Sequence, residues 1–248
     1  MLVLLACAAA FLAGFVDAVA GGGGLVQLPA LLVLYPEAAV PTMLGTNKVA
    51  SVAGTAAALW KYAGSVAIPW RAAGPAAVAA FVGSFGGARL ATQLPTEWLR
   101  PVVVVLLAAV LAYTLAKKDF GQPAAPRIGP AGAAAMGAGL GIYDGFFGPG
   151  TGSFLLFGFV ALCGLDFLGA SASAKLVNVA TNLAAIVAFA AAGVIRWELA
   201  LPMAVCNVAG SQIGTRLALA KGAGFVRSVF VVVVTGMLMK LGWGLIHG

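Results

Sequence analysis

The sequence predicts an all-α polytopic membrane protein with about eight transmembrane segments in two homologous repeats, and three observations carry this prediction. First, 62% of the 248 residues are hydrophobic and only 8% are charged, whereas a soluble domain carries about a quarter charged residues. Second, long stretches contain no Asp, Glu, Lys or Arg, and a membrane span needs about 20 mostly apolar residues. These counts exclude a soluble enzyme and an extramembrane domain of any size.

The third observation is that the chain matches itself at an offset of 127 residues. Scarce residue types align there without a gap: Asp17 with Asp144, Lys48 with Lys175, Trp70 with Trp197 and Arg100 with Arg227. Agreement among rare residue types indicates a duplication. The predicted repeats are 1–117 and 128–248, and residues 118–127, with one Gly and two Pro, form the connecting loop.

Each repeat divides into four apolar segments. They cover 2–34, 41–63, 70–92 and 98–116 in the first repeat, and 129–162, 168–192, 197–220 and 225–246 in the second. The first segment of each repeat is too long for one span, because a continuous helix of that length would measure about 50 Å against a hydrocarbon core of about 30 Å. Both first segments are interrupted, by glycines 21–24 and by the Gly-Pro-Gly-Thr-Gly stretch 148–152. Interrupted segments at matching positions of two halves indicate a transporter binding site.

The relative direction of the repeats depends on how the first segment crosses the membrane. A segment that spans once gives four crossings per repeat and a parallel duplication. A segment that folds back as a re-entrant hairpin gives three crossings and an inverted duplication. The sequence leaves both arrangements open.

Asp17 and Asp144 are the only acidic residues deep inside apolar segments. An unpaired charge at this depth is costly, so each must face a cavity, find a partner or be neutral. Lys48 and Lys175, near the start of each second segment, are the natural partners. The predicted substrate-binding set joins these charges to the breaks and nearby polar residues: Asp17, Gly21, Gly22, Gly23, Gly24, Gln27, Thr46, Asn47, Lys48, Ser51, Asp144, Gly148, Gly150, Thr151, Gly152, Ser153, Ser173, Lys175, Asn178 and Asn182.

Two interpretations of this set compete. In the functional one, the helix starting after each break offers free N–H groups and a positive dipole end to an oxyanion. The lysines add charge, and one of the aspartates could carry a proton. In the structural one, Asp17–Lys48 and Asp144–Lys175 are ion pairs within each half, and the glycines serve close packing. We favour function, because intramembrane charges are functional by default.

The sequence indicates no cofactor and no metal, since no His/Cys/Asp cluster has ligand spacing. It offers no nucleophile–base pair, so an intramembrane enzyme is disfavoured. The net charge of +7 is not arranged as a basic stripe with aromatics, which excludes a nucleic-acid partner. The expected partners are the lipid bilayer, a small anion and protons as a coupling ion, and a homo-oligomer stays open.

Three motifs carry a resemblance to a known family. Residues 14–25 (GFVDAVAGGGGL), 44–48 (LGTNK) and 143–154 (YDGFFGPGTGSF) resemble the signatures of the TauE/SafE family of sulfite exporters, and the resemblance covers nearly the whole chain. It implies a multi-pass permease of the bacterial inner membrane that moves sulfite, sulfoacetate or related sulfur-containing organic anions outward. It also implies roles at the motif positions Asp17, glycines 21–24, Asn47, Lys48, Asp144, Gly148, Gly150, Thr151 and Lys175.

The second half departs from the family pattern, since Ser173-Ala174-Lys175 stands where the first has Thr46-Asn47-Lys48. The role of Asn47 then passes to Asn178 or Asn182, or the two halves bind unequally. Our hypothesis is a secondary transporter with its site near the midplane and alternating access by rocking of one half against the other. The alternatives are a transporter of another organic acid or of a cation, and a passive anion channel.

Overall fold

The computed structural model of the chain describes residues 1–99, 101–102, 105–106, 109 and 126–221, and these contain helices but no strand. The long helices in chain order are α1 (Leu2–Ala20), α2 (Gly24–Leu34), α3 (Val40–Ala63), α4 (Trp70–Gln93), α5 (Pro130–Phe146), α6 (Thr151–Ala161), α7 (Phe167–Ala191) and α8 (197–221). The predicted segment 225–246, most of 98–116 and most of the loop 118–127 lie outside the described residues.

Two of the described helices are long and apolar enough to cross a membrane by length and composition. They cover Leu2–Val19 and Phe167–Ala191, while α2 and α6 are apolar but shorter, with 11 residues each. At 1.5 Å per residue, α2 and α6 are about 16 Å long, or roughly half a hydrocarbon core. They are therefore half-helices.

The first segment of each half consists of two helices with a glycine turn between them. Helix α1 ends at Gly21, which has φ 76° and whose N–H donates to the Asp17 carbonyl at 2.8 Å. In the second half, Gly148 (φ 100°) and Gly150 (φ 85°) separate α5 from α6. Because residues with a Cβ rarely adopt positive φ, glycine permits these turns.

Helices α4 and α5 pack side by side and run in the same direction. Ala76, Ala80 and Ser84 of α4 lie against Gly137, Gly141 and Gly145 of α5, in that order. A Cβ added at Gly145 would overlap the Ser84 carbonyl oxygen. Small residues allow helix backbones to approach this closely. Helices α1 and α8 make the equivalent parallel contacts, between Phe11 and Gly210 and between Phe15 and Gly214.

Helices α3 and α7 run antiparallel across the centre of the molecule. Gly45, near the start of α3, lies against Phe189, near the end of α7. Tyr62, at the end of α3, shares a buried apolar cluster with Ala172, near the start of α7. The centre is therefore crossed by one long helix from each half, in opposite directions.

Helix α4 runs parallel to α7, and α8 runs parallel to α3. The Ser84 hydroxyl donates to the Thr181 carbonyl at 2.7 Å, and Pro69, before α4, lies near Gly169 at the start of α7. At positions 127 residues removed, the Ser211 hydroxyl of α8 donates to the Gly54 carbonyl of α3 at 2.6 Å. Farther along both helices, the Lys61 Nζ donates to the Gln212 carbonyl at 3.2 Å.

These contacts sort the long helices into two groups. The first bundle contains α1, α3 and α8, which run in one direction, and the second bundle contains α4, α5 and α7, which run in the opposite direction. Each bundle thus combines two helices of one sequence half with one helix of the other. The half-helix α2 starts where Gly23 lies against the Ala13 carbonyl of α1, so the chain turns back after α1.

Candidate functional site

The two glycine turns meet at a central cavity between the bundles. Gly21 lies against Gly152, with no room for a Cβ on either residue. The cavity has a volume of about 30 Å³. Its walls come from both halves of the chain: Asp17, Gly21, Gly24, Asn47, Lys48, Ser51, Thr55, Asp144, Gly148, Gly150, Gly152, Asn178 and Asn182.

Lys48 and Asp144 form an ion pair that joins α3 of the first bundle to α5 of the second. The Lys48 Nζ donates to the Asp144 Oδ2 at 2.7 Å, and the two side chains are 3% and 4% exposed. Both residues line the central cavity. A buried pair has a large desolvation cost, and removing either partner leaves an uncompensated charge.

Lys175 and Asp17 form the equivalent pair between α7 and α1, with different surroundings. The Lys175 Nζ lies 3.0 Å from the Asp17 Oδ2 and also donates to the Asp17 carbonyl. The Thr55 hydroxyl donates to the same Oδ2 at 3.1 Å. Lys175 does not line the central cavity, but borders a smaller one of about 10 Å³ beside Ser171.

The ion pairs expected within each half, Asp17–Lys48 and Asp144–Lys175, are therefore wrong. Each lysine instead contacts the aspartate of the other half. The reason is that the antiparallel helices α3 and α7 carry the lysines past the centre, to the glycine turn of the opposite half. A Cβ at Gly148, in the second turn, would contact the Lys48 Nζ of the first half.

Twelve of the predicted site residues line the central cavity and eight do not. Those that line it are Asp17, Gly21, Gly24, Asn47, Lys48, Ser51, Asp144, Gly148, Gly150, Gly152, Asn178 and Asn182. Those that do not are Gly22, Gly23, Gln27, Thr46, Thr151, Ser153, Ser173 and Lys175. The functional role of every member of the set stays a prediction.

Several of the eight outer residues have structural hydrogen bonds. The Thr151 hydroxyl donates to the Gly148 carbonyl at 2.7 Å and so closes the second glycine turn. The Ser173 hydroxyl donates within its helix to the Gly169 carbonyl at 2.7 Å. The Thr46 hydroxyl accepts from the Arg196 backbone N–H at 3.1 Å, while Ser153 is buried.

Sequence reasoning missed two residues near the cavity, Thr55 and Asn207. Thr55 lines the cavity and aligns with the predicted Asn182 at the 127-residue offset. The alignment of the two repeats would therefore have identified Thr55. Asn207 is buried, and its Nδ2 donates to the Gln27 Oε1 at 2.9 Å. The Gln27 Nε2 in turn lies 3.4 Å from the Asn47 carbonyl. Asn207 is a polar residue in a stretch, 199–215, that contains no charged residue, and this was the signal for it.

The Asn47 side chain lines the cavity with an unsatisfied group. Its Oδ1 is buried and has no hydrogen-bond partner among the described residues. Leaving a buried acceptor unpaired costs about 1–3 kcal/mol. In a wider cavity, a water or a ligand that carries a hydrogen-bond donor would satisfy this oxygen.

The site chemistry consists of two cations, two carboxylates and a ring of neutral polar groups. The charges of Lys48, Lys175, Asp17 and Asp144 sum to zero. Amides of three asparagines and hydroxyls of Ser51 and Thr55 supply directional hydrogen bonds. Within the described part of the chain, no cluster of three or more His, Cys, Asp or Glu could hold a metal ion. The arrangement suits recognition of a small polar ion.

The chain is similar to a known protein family and to several curated proteins. Residues 6–241 match the family described as Sulfite exporter TauE/SafE. A probable membrane transporter protein, ORF9, from Sinorhizobium sp is 36% identical over 94% of this chain and 89% of its own length. The probable membrane transporter protein YfcA of Escherichia coli K12 is 34% identical, over 94% of this chain and 86% of its own.

A third relative, a probable membrane transporter protein of Haemophilus influenzae, is 31% identical over 98% of this chain and 96% of its own length. No solved structure matches the chain significantly. The family match and the transporter relatives span nearly the whole chain, including both glycine turns and all four central charges. The chain therefore belongs to the TauE/SafE family of membrane transporters.

Proposed function

We propose that this protein is a secondary transporter that moves sulfite or a related small sulfur-containing or organic anion across the bacterial inner membrane. The observation that carries the proposal is the central cavity between two glycine turns, where a buried ammonium group is surrounded by amides and hydroxyls. The family description names sulfite export. We propose the same cargo, sulfite, and the same outward direction for this chain.

The cavity chemistry favours an oxyanion. The Lys48 ammonium supplies positive charge, and the amides of Asn47, Asn178 and Asn182 in the cavity wall carry N–H groups that an oxyanion can accept from. Helix α6 begins at Thr151, beside Gly150 and Gly152 of the cavity wall, so its positive dipole end adds to the same field. A cation would meet two carboxylates here, but each of these already has a lysine partner.

The size of the cavity favours a small cargo. A volume of about 30 Å³ accommodates roughly two waters. The cavity must therefore widen to admit even sulfite, and a bulky organic acid would need a much larger rearrangement. We assign this geometry to a closed state of the transport cycle.

The directions of the helices support an inverted repeat. Helices α1 and α3 run opposite to their counterparts α5 and α7, and α2 turns back beside α1. An inverted pair has a pseudo-two-fold axis in the membrane plane, as in many secondary transporters. Because the central cavity lies between the two bundles, we assign alternating access to movement of the first bundle against the second, rather than of one sequence half against the other.

The test is sulfite flux in proteoliposomes containing the purified protein. We expect saturable flux that responds to a proton gradient and falls at least tenfold in Lys48→Gln. Lys61→Gln is the matched control, because Lys61 lies on the same helix but contacts Gln212 away from the cavity. Flux that is unchanged in Lys48→Gln would contradict the anion site. Uncoupled flux that does not saturate would indicate a passive channel instead.

A further inference from the structure

We propose that the transported anion replaces Asp144 at Lys48 and that Asp144 takes up the coupling proton, while the Asp17–Lys175 pair stays closed. This inference rests on the proposed anion transport and assigns the coupling step to one of two equivalent carboxylates. Asp17 and Asp144 occupy equivalent positions in the two repeats, but the residues around them in the structure differ.

Access to the cavity distinguishes the two lysines. Lys48 lines the central cavity, whereas Lys175 borders the smaller cavity beside Ser171. The backbones of Gly21 and Gly152, which line both cavities, meet between them. An anion in the central cavity therefore reaches the ammonium of Lys48 before that of Lys175.

Hydrogen bonding distinguishes the two aspartates. The Asp17 Oδ2 accepts from Lys175 and from Thr55, and the Asp17 carbonyl holds the same lysine. The Asp144 Oδ2 accepts from Lys48. Losing Lys48 thus removes from Asp144 the contact that stabilises its charge, while Asp17 keeps the Lys175–Thr55 arrangement.

The solvent exposure of the two aspartates also supports Asp144 as the proton acceptor. The Asp17 side chain is 16% exposed and the Asp144 side chain 4%. A carboxylate that loses its counter-charge in such a buried position becomes neutral rather than remain charged. The Asp17 carboxylate keeps both Lys175 and Thr55 as partners, so its charge stays compensated.

The step balances in charge and in atoms. At the start, the Asp144 carboxylate and the Lys48 ammonium form a pair. An anion and a proton enter, the anion pairs with the ammonium, and the proton binds a carboxylate oxygen of Asp144. No covalent bond to the anion forms or breaks, and the summed charge of the site with its contents is unchanged. Each singly charged anion therefore moves with about one proton in the same direction, so that export is driven by the outward gradient of the anion and not by an inward proton gradient.

Other titratable groups around Asp144 do not compete for this proton. Lys48 is occupied by the anion, Asp17 and Lys175 hold each other, and the adjacent Tyr143 hydroxyl donates to the Pro149 carbonyl at 2.8 Å. On α4, the groups that face α5 are backbone and small side chains, as at Ala76, Ala80 and Ser84.

The test is the ratio of protons to anions moved in proteoliposomes, with Asp144→Asn compared against its equivalent, Asp17→Asn. Sulfite flux and the change in internal pH are recorded together, and the protons that sulfite itself binds or releases at the internal pH are subtracted. The ratio does not depend on how fast each variant works. We expect about one proton per singly charged anion in the native protein and in Asp17→Asn, and a ratio near zero in Asp144→Asn. A normal ratio in Asp144→Asn, or loss of coupling in Asp17→Asn alone, would overturn the assignment.

A second measurement covers the case in which Asp144→Asn fails to fold. Infrared difference spectra of the native protein, with and without sulfite, should show a carboxyl group gaining a proton when the anion binds. That band should shift in Asp144→Glu and persist in Asp17→Glu. A band that shifts in Asp17→Glu alone, or sulfite binding without any carboxyl protonation, would refute the inference. Absence of sulfite binding and flux in the native protein would refute the proposed function instead.

Discussion

The two central ion pairs hold the same residue types at equivalent positions, yet they differ in what surrounds them. Lys48–Asp144 is almost fully buried and faces the central cavity. Lys175–Asp17 is reinforced by a hydroxyl and a backbone carbonyl, and its lysine borders a smaller neighbouring cavity. Equivalent positions in the two repeats therefore have unequal surroundings, and our proposal assigns the pair that opens to the one with fewer hydrogen bonds.

Several pairs of equivalent positions near the site differ, and three of them belong to one polar chain. Asn47 corresponds to Ala174, and Asn207 corresponds to Ala80, so the polar chain from Asn207 through Gln27 to Asn47 has no counterpart in the second half. Gln27 itself corresponds to Phe154. The lysine-bearing helix α3 is therefore linked to α2 and α8 by side-chain amides, which α7 lacks at the equivalent positions.

The largest expected effect comes from breaking the crossed pairs. Lys48→Met should lower the free energy of unfolding by roughly 3–5 kcal/mol, because it leaves Asp144 buried without a partner. Adding Asp144→Asn should recover much of this loss, while adding Asp17→Asn should not. A double-mutant cycle in detergent micelles measures both couplings. Stronger coupling of Lys48 to Asp17 than to Asp144 would contradict the crossed arrangement.

The next effect concerns the close helix contact within the second bundle. Gly145→Ala should destabilise the protein by about 1–3 kcal/mol, because the added methyl overlaps the Ser84 carbonyl oxygen. Gly139→Ala, on the same helix with open space around its position, is the matched control and should be neutral or slightly stabilising. Thermal unfolding of both variants checks the prediction, and equal midpoints would argue against this helix packing.

A smaller effect is expected from Asn207→Ala, which makes α8 resemble α4 at this position. The Gln27 Oε1 would lose its donor, at a cost of about 1 kcal/mol, and the hold on the Asn47 carbonyl would loosen. Sulfite affinity should fall only a few-fold, because Asn207 acts on the cavity through Gln27. A change in affinity as large as that of Lys48→Gln would mean that Asn207 contacts the anion itself.

An effect of similar size is expected from Asn47→Ala, which gives the first half the residue of the second. Losing one neutral hydrogen bond costs about 0.5–1.5 kcal/mol, or roughly a two- to tenfold weaker affinity for sulfite. Asn47→Asp should weaken binding further, because it adds a negative charge of similar shape. Equal affinities in Asn47→Asp and the native protein would exclude contact between this side chain and the anion.

Much of this architecture follows from patterns in the sequence. The segments 41–63, 70–92, 168–192 and 197–220 lie within two residues of the helices α3, α4, α7 and α8. The glycine clusters 21–24 and 148–152 coincide with the turns that lead into the half-helices α2 and α6. These features could be predicted because they depend on local properties of the chain, namely the apolar content of each segment and the positive φ that glycine allows.

The pairing of the charges could not be predicted in the same way. Lys48 is 31 residues from Asp17 and 96 from Asp144, so proximity in sequence favours the wrong partner. Which partner is correct depends on the opposite directions of α3 and α7, and these arise from long-range packing. The two lysines also differ in their access to the central cavity. That difference depends on the contact between Gly21 and Gly152, which joins the two halves and cannot be read from either motif alone.

Sulfite binding to the Lys48→Gln and Lys175→Gln variants tests the central claim most directly. A hydrogen bond to a charged group contributes about 1.5–3 kcal/mol, so titration calorimetry should show affinity at least tenfold weaker in Lys48→Gln. In Lys175→Gln we expect a change of less than about threefold on the same scale. Equal losses in the two variants, or a larger loss in Lys175→Gln, would contradict the account.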